Sequence, residues 1–161
     1  RLAAPTGLRF QTTVTSGNDI DEEDILNLTT GTVTTGTLIT TKDLYEANGN
    51  TLTKDSTYNF LDIVNDGWFN DGTKTTTGKF CGSIVRIEAE NYGRAYIAVG
   101  YATINYSNGH SKTVYADVTE NNAKSIKYVA EKVQASEKFS GYSDAQQDII
   151  KKYIDGKEIS K

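Results

Sequence analysis

The side chains best equipped for chemistry in this chain are its rings. Ten tyrosines and five phenylalanines accompany one tryptophan, Trp68, in 161 residues. Trp68 stands in "NDGWFNDG", residues 65–72, among Asn, Asp and Gly residues that favour turns. A turn is normally solvated, so an indole there has two expected fates. It folds back to plug one end of a β-layer, or it offers its face to a ligand. A flat aromatic face stacks on the apolar C–H face of a pyranose, while neighbouring carboxylates and carboxamides bind the hydroxyls. Trp68 with Asp66, Asn70 and Asp71 is therefore one candidate carbohydrate platform. A second is the seam expected between sheet and helices, where "NYGRAY" supplies Tyr92 and Arg94 and the break "FSGYS" supplies Tyr142. Core packing and hinge duty are the competing roles for those three.

Catalytic sets are harder to assemble. Glu88 and Glu90 in "RIEAENYG" stand two apart and are expected on one solvent-facing strand face. A glycosidase pair instead faces inward across a bond, about 5–9.5 Å apart. The single histidine, His110, leaves most metal and triad arrangements without members, and neither an HExxH pattern, a serine elbow nor a phosphate-binding glycine loop occurs. The acidic run "DIDEED" (19–24) lacks the regular spacing of a calcium loop and is expected to be a solvated loop or helix start. Cys81, the only cysteine, lies in the apolar pattern "KFCGSIVRI" and is expected as a buried, inert thiol. The expectation is a binding module, not an enzyme, with no cofactor and no metal.

Composition bounds the partners. A formal charge of −4 argues against nucleic acid, which needs clustered Lys and Arg. No apolar run approaches the roughly 18 residues that signal a membrane span, so no membrane insertion is expected. No leader pattern is read, and since the sequence opens on Arg1, not Met, the expectation is a processed product or an excised piece. Abundant Thr, Asn and Tyr with no Met is a usage associated with secreted bacterial surface proteins.

These side chains must be positioned by strands and then helices. "GLRFQTTVT" alternates Leu8, Phe10, Thr12 and Val14 against Arg9, Gln11, Thr13 and Thr15, the period of a half-buried strand. "TGTLITT", "NFLDIV" and "GSIVRIEA" predict three more strands. Asn108-Gly109 predicts a hairpin joining strands at about 94–106 and 111–117. The longer of these is apolar on both faces. Its Ile97, Val99, Tyr101 face is expected against an opposing sheet, and its shallow Ala98, Gly100, Ala102 face beneath helices. Ile126, Val129, Ala130 and Val133 predict one amphipathic helix. Ser143 and Gln146 predict the capping box of a second, with Ala145, Ile149, Ile150, Tyr153 and Ile154 inward and Gly156 at its end. The fold class expected is mainly β: a β-sandwich, Ig-like or jelly-roll-like, over about 1–118, with a helical cluster over about 119–161 packed on it as one domain.

In order, "GLRFQTTV", "GTLITTKDL", "FCGSIVRIEAENYGRAYIAVGYATINYSNGHSKTVYADV" and "AKSIKYVAEKV" resemble a domain of large secreted proteins of gut Firmicutes, across roughly residues 7–134. Within that group the chain looks most like the N-terminal domain of the ruminococcal starch adherence system proteins of the amylosome. The resemblance implies a non-catalytic binder of starch and maltooligosaccharides (α-1,4-glucan), gripping the non-reducing end between sandwich and helices. It also implies a secreted, cell-surface setting and assembly into a multiprotein surface complex through other domains. Its motifs are structural, so no family binding residue is carried over.

Overall fold

The computed structural model describes residues 5–15, 33–65, 77–105 and 109–159. Within them the chain is mainly β, with two antiparallel sheets and helices gathered chiefly at the C-terminal end. Strands β1 (Gly7–Thr15) and β4 (Thr77–Val85) form a two-stranded sheet. Strands β2 (Val33–Thr41), β3 (Leu61–Asn65), β5 (Tyr96–Asn105) and β6 (Ser111–Tyr115) form the other, in the order β3-β2-β5-β6. Neither sheet closes on itself.

The alternation read in β1 holds. Leu8 and Val14 are buried and Phe10 and Thr12 half-buried, while Arg9, Gln11 and Thr13 are exposed. Its inner face meets β5 and that of β4 meets β2, at two glycines. A methyl group on Gly100 would overlap the Thr12 side chain, and one on Gly82 would overlap Thr37. Backbones approach this closely only where a side chain is missing. The opposing sheet therefore lies on the shallow Ala98, Gly100 face, not on the Ile97, Val99, Tyr101 face as expected. Bulky residues on both layers would hold them apart.

The Ile97, Val99, Tyr101 face has a cover that the sequence reading missed. Directly after β2, helix α1 (Lys42–Ala47) begins, capped by the Thr41 hydroxyl, which accepts from the Leu44 amide at 3.4 Å. The arm from α1 to β3 folds back over the sheet. It buries Leu52 against Leu38, Ile97, Val99 and Tyr101, with Tyr45, Tyr58 and Phe60 around them.

The second core lies between the sheets and the C-terminal helices α2 (Ile126–Gln134) and α3 (Asp144–Asp155). Ile126, Ala130, Ile150 and Tyr153 join Leu8, Ile39, Ile87, Tyr92 and Tyr96. Val129, expected inward, is 39% exposed, because the buried edge of α2 follows Ile126 and Ala130. Ala145 is exposed too, at the start of α3. The capping box forms as predicted: Ser143 Oγ accepts from the Gln146 amide at 3.4 Å and Gln146 Oε1 from the Ser143 amide at 3.0 Å. Gly156 ends the helix at φ 67°.

Three local expectations change. Strand β4 stops at Val85, since Arg86 takes φ 62° and breaks the extended run. Glu88 and Glu90 consequently do not share a strand face: Glu88 precedes a 3-10 turn, Ala89–Asn91, and Glu90 lies in it. Cys81 is half-buried rather than buried, because its register opposite Gln11 puts it on the outward face of the small sheet. In the predicted hairpin, β5 and β6 pair from Tyr101↔Tyr115 to Asn105↔Ser111 and Gly109 has φ 83°. Asn108 lies outside the described residues.

Candidate functional site

A surface cleft runs along one edge of β1. Among the described residues β1 pairs only with β4, and its other edge looks across β5 toward the segment that follows β6. There a cleft of about 590 Å³ is lined by Arg9, Phe10, Gln11, Thr12 and Thr13, by Ala98 and Gly100, and by Ala116, Asp117, Asn121, Asn122 and Lys124. Consecutive strand residues point to opposite faces, so five in a row can line one cleft only along the strand's edge. Half-buried Ala98 forms the floor, beside Gly100, which the Thr12 side chain covers. Phe10 and Thr12 contribute the inner wall, and Arg9, Gln11 and Thr13 the exposed rim.

The opposite wall is irregular chain that is anchored at both ends. The Ala116 amide donates to the Gly100 carbonyl at 2.8 Å. The Tyr96 and Lys124 backbones exchange hydrogen bonds at 2.8 and 3.0 Å. Between these anchors the Asn122 amide donates to the Thr119 carbonyl at 2.9 Å, and the Thr119 hydroxyl to Asn122 Oδ1 at 2.8 Å. Lys124 Nζ donates to the Asn121 carbonyl, which bends its stem along the wall. Among the described residues the cleft thus combines an apolar floor with carboxamides, hydroxyls, one carboxylate and two cations, the mixture that holds a polar, hydroxyl-rich ligand in one orientation.

A second hollow, about 630 Å³, opens where the end of α3 meets the start of β1. Pro5, Thr6, Arg86, Ile87, Glu88, Glu158 and Ile159 line it. One Glu158 oxygen there already accepts from the Ala89 amide at 2.8 Å.

Of the residues singled out from sequence, those that are described line neither place. Trp68, Asp66, Asn70 and Asp71 lie outside the described residues. Tyr92 is a core residue, 1% exposed, its ring edge-on to Tyr153 at 5.4 Å and its hydroxyl 3.5 Å from Thr6 Oγ1. Burial pushes its phenol above the ordinary tyrosine range. No face of that ring is open to a sugar, which corrects its assignment to an open seam. Arg94 is exposed just before β5. Tyr142 is half-buried beside Phe139, ring centres 6.5 Å apart, and its carbonyl accepts from Gln147 at 3.1 Å. None of the three lines either hollow.

The cleft residues that sequence reasoning missed carry a weak signal in hindsight. "ADVTENNAK" (116–124) is a polar, Asn-rich connection between strand and helix, and such connections carry binding groups. Nothing in it announces that β1 stands opposite.

One other polar cluster has a structural role. Tyr101 donates to Asp62 Oδ1 at 2.8 Å, Lys54 pairs with the same carboxylate at 3.7 Å, and its ammonium sits 4.7 Å from the centre of the Tyr101 ring. The Lys54 amide donates to the Tyr115 hydroxyl at 3.2 Å. Together these tie the arm to the sheet. Burial, reinforced by the Asp62 contact, drives the Tyr101 phenol far above its ordinary value.

Among the described residues no group of three or more His, Cys, Asp or Glu could hold a metal ion, and no helix is long and apolar enough to cross a membrane. Comparison with family models, curated proteins and solved structures finds no match to this chain.

Proposed function

We propose that the two packed layers are an open β-sandwich serving as a non-catalytic carbohydrate-binding domain, with the β1-edge cleft as its site. The observation that carries this reading is the cleft itself. Half-buried Ala98 gives it an apolar floor, and side chains able to grip hydroxyls stand on both sides of it. The resemblance set out above supports α-1,4-glucan as the first ligand to try, and a secreted, surface-complex setting. Trp68 remains part of the proposal on its sequence context alone.

Affinity electrophoresis in gels containing starch, xylan or β-glucan tests the reading, with retardation expected in at least one. Asn121→Ala, at an exposed position, is expected to weaken that retardation about tenfold through loss of one or two sugar hydrogen bonds. Since Trp68 is the only indole, a change in its fluorescence on titration places sugar near it, and a flat trace removes it from the site.

A second reading has its own support. A strand edge that lines a groove with five consecutive residues is also the geometry that accepts an added strand from another polypeptide. No retardation in any gel, with a Gln11→Pro change abolishing capture of an extended peptide, would favour that protein-interaction module.

A further inference from the structure

The charge around the cleft runs against the charge of the chain. The protein carries −4 overall, yet among the described residues the cleft is lined by two cations, Arg9 on the β1 wall and Lys124 on the facing wall, against one acid, Asp117. A third cation is held close. Tyr128, 41% exposed on α2, has the Lys124 ammonium 4.8 Å and the Lys132 ammonium 5.5 Å from its ring centre. Two ammonium groups repel in water; the electron-rich ring offsets that repulsion and holds the Lys132 ammonium beside the same ring as that of Lys124, which lines the cleft. On the same helix, Lys127 and Glu131 stand four apart and contribute no net charge between them.

From this arrangement we infer that the cleft takes an acidic sugar: an oligosaccharide with a uronate residue, its carboxylate held by Arg9 and Lys124. The inference rests on the reading of the cleft as a carbohydrate site and departs from the neutral glucan that the resemblance implies. A carboxylate between a guanidinium and an ammonium makes charge-assisted hydrogen bonds, which are about twice as strong as the neutral bonds open to a hydroxyl. Lys132 adds long-range attraction that salt screens.

The test is calorimetric titration of the full chain with trigalacturonate, maltotriose and xylotriose at low and high NaCl. Expected is a preference of about tenfold or more for the uronate trisaccharide, shrinking several-fold as salt rises. Arg9→Gln, at an exposed position, is expected to remove most of that preference, so that trigalacturonate binds no more tightly than the neutral trisaccharides. Lys132→Gln is expected to reduce only its salt dependence. Circular dichroism of each variant checks the fold. Neutral sugars binding as tightly as trigalacturonate, with no salt effect, would overturn the acidic-sugar inference and leave the carbohydrate reading standing. No binding by any of the three would sink both.

Discussion

Thr37 shows how a single residue records the meeting of two layers. It is fully buried opposite Gly82, and its hydroxyl finds no hydrogen-bond partner. An orphaned buried hydroxyl costs about 1–3 kcal/mol. Thr37→Val keeps the shape and removes the polar atom, so a gain of about 1 kcal/mol in urea unfolding is expected, read as a higher midpoint with unchanged slope. Tyr101 makes the opposite case. Its phenol is raised in the fold, so the neutral form is favoured there. That contribution is complete below the unfolded tyrosine pKa near 10 and is lost as pH climbs through the folded value. Melting temperature is expected to stay level through neutral pH and to fall above about pH 10. Tyr101→Phe should flatten the alkaline fall and lower stability at pH 7 by roughly 1 kcal/mol, since the Asp62 contact disappears.

At the scale of elements, the arm from α1 to β3 explains why a strand with two apolar faces can sit in so small a protein. Apolar residues on both sides of β5 announce that both its faces are covered, but say nothing of what covers each. The cover for Ile97, Val99 and Tyr101 comes from residues 42–60, whose apolar members Tyr45, Leu52, Tyr58 and Phe60 follow no single period. Leu52, 4% exposed, is the arm's deepest anchor. Leu52→Ala is expected to cost about 2–5 kcal/mol in denaturant unfolding. Protease cleavage in the arm is expected to appear before any elsewhere in that variant. Helix α3 was far more legible. Its capping box and terminal glycine are local signals that depend on neighbours three or four residues away, and both appear where the sequence put them.

On the scale of the whole molecule, one sheet is shared by two cores. The second, between the layers, continues without a break into the helices, since Tyr92 and Leu8 belong to the same cluster as Ala130 and Tyr153. Sheet and helices are therefore expected to unfold together. Calorimetry should give one transition with matching calorimetric and van't Hoff enthalpies, and a chain cut after residue 119 should lose cooperative unfolding. Two separate transitions would show that the helices are an independent appendage. Among the described residues the small sheet has two strands and its partner four, so within them the facing layer is only partly covered. That mismatch in width, and no special motif, is what leaves the cleft beside β1.

What the residues alone determined was whatever depends on near neighbours: the alternation of β1, the pairing of β5 with β6, the capping box and terminal glycine of α3, and the mainly β class. What only the tertiary structure decided was which surfaces meet. Two glycines let the layers touch on the side of β5 that looked shallow, and a positive φ at Arg86 dissolved the expected Glu88, Glu90 face. The ring of Tyr92 went into the core. The cleft joins residues 9–13, 98–100 and 116–124. Segments so far apart along the chain share no periodicity, and only folding brings them within reach of one ligand.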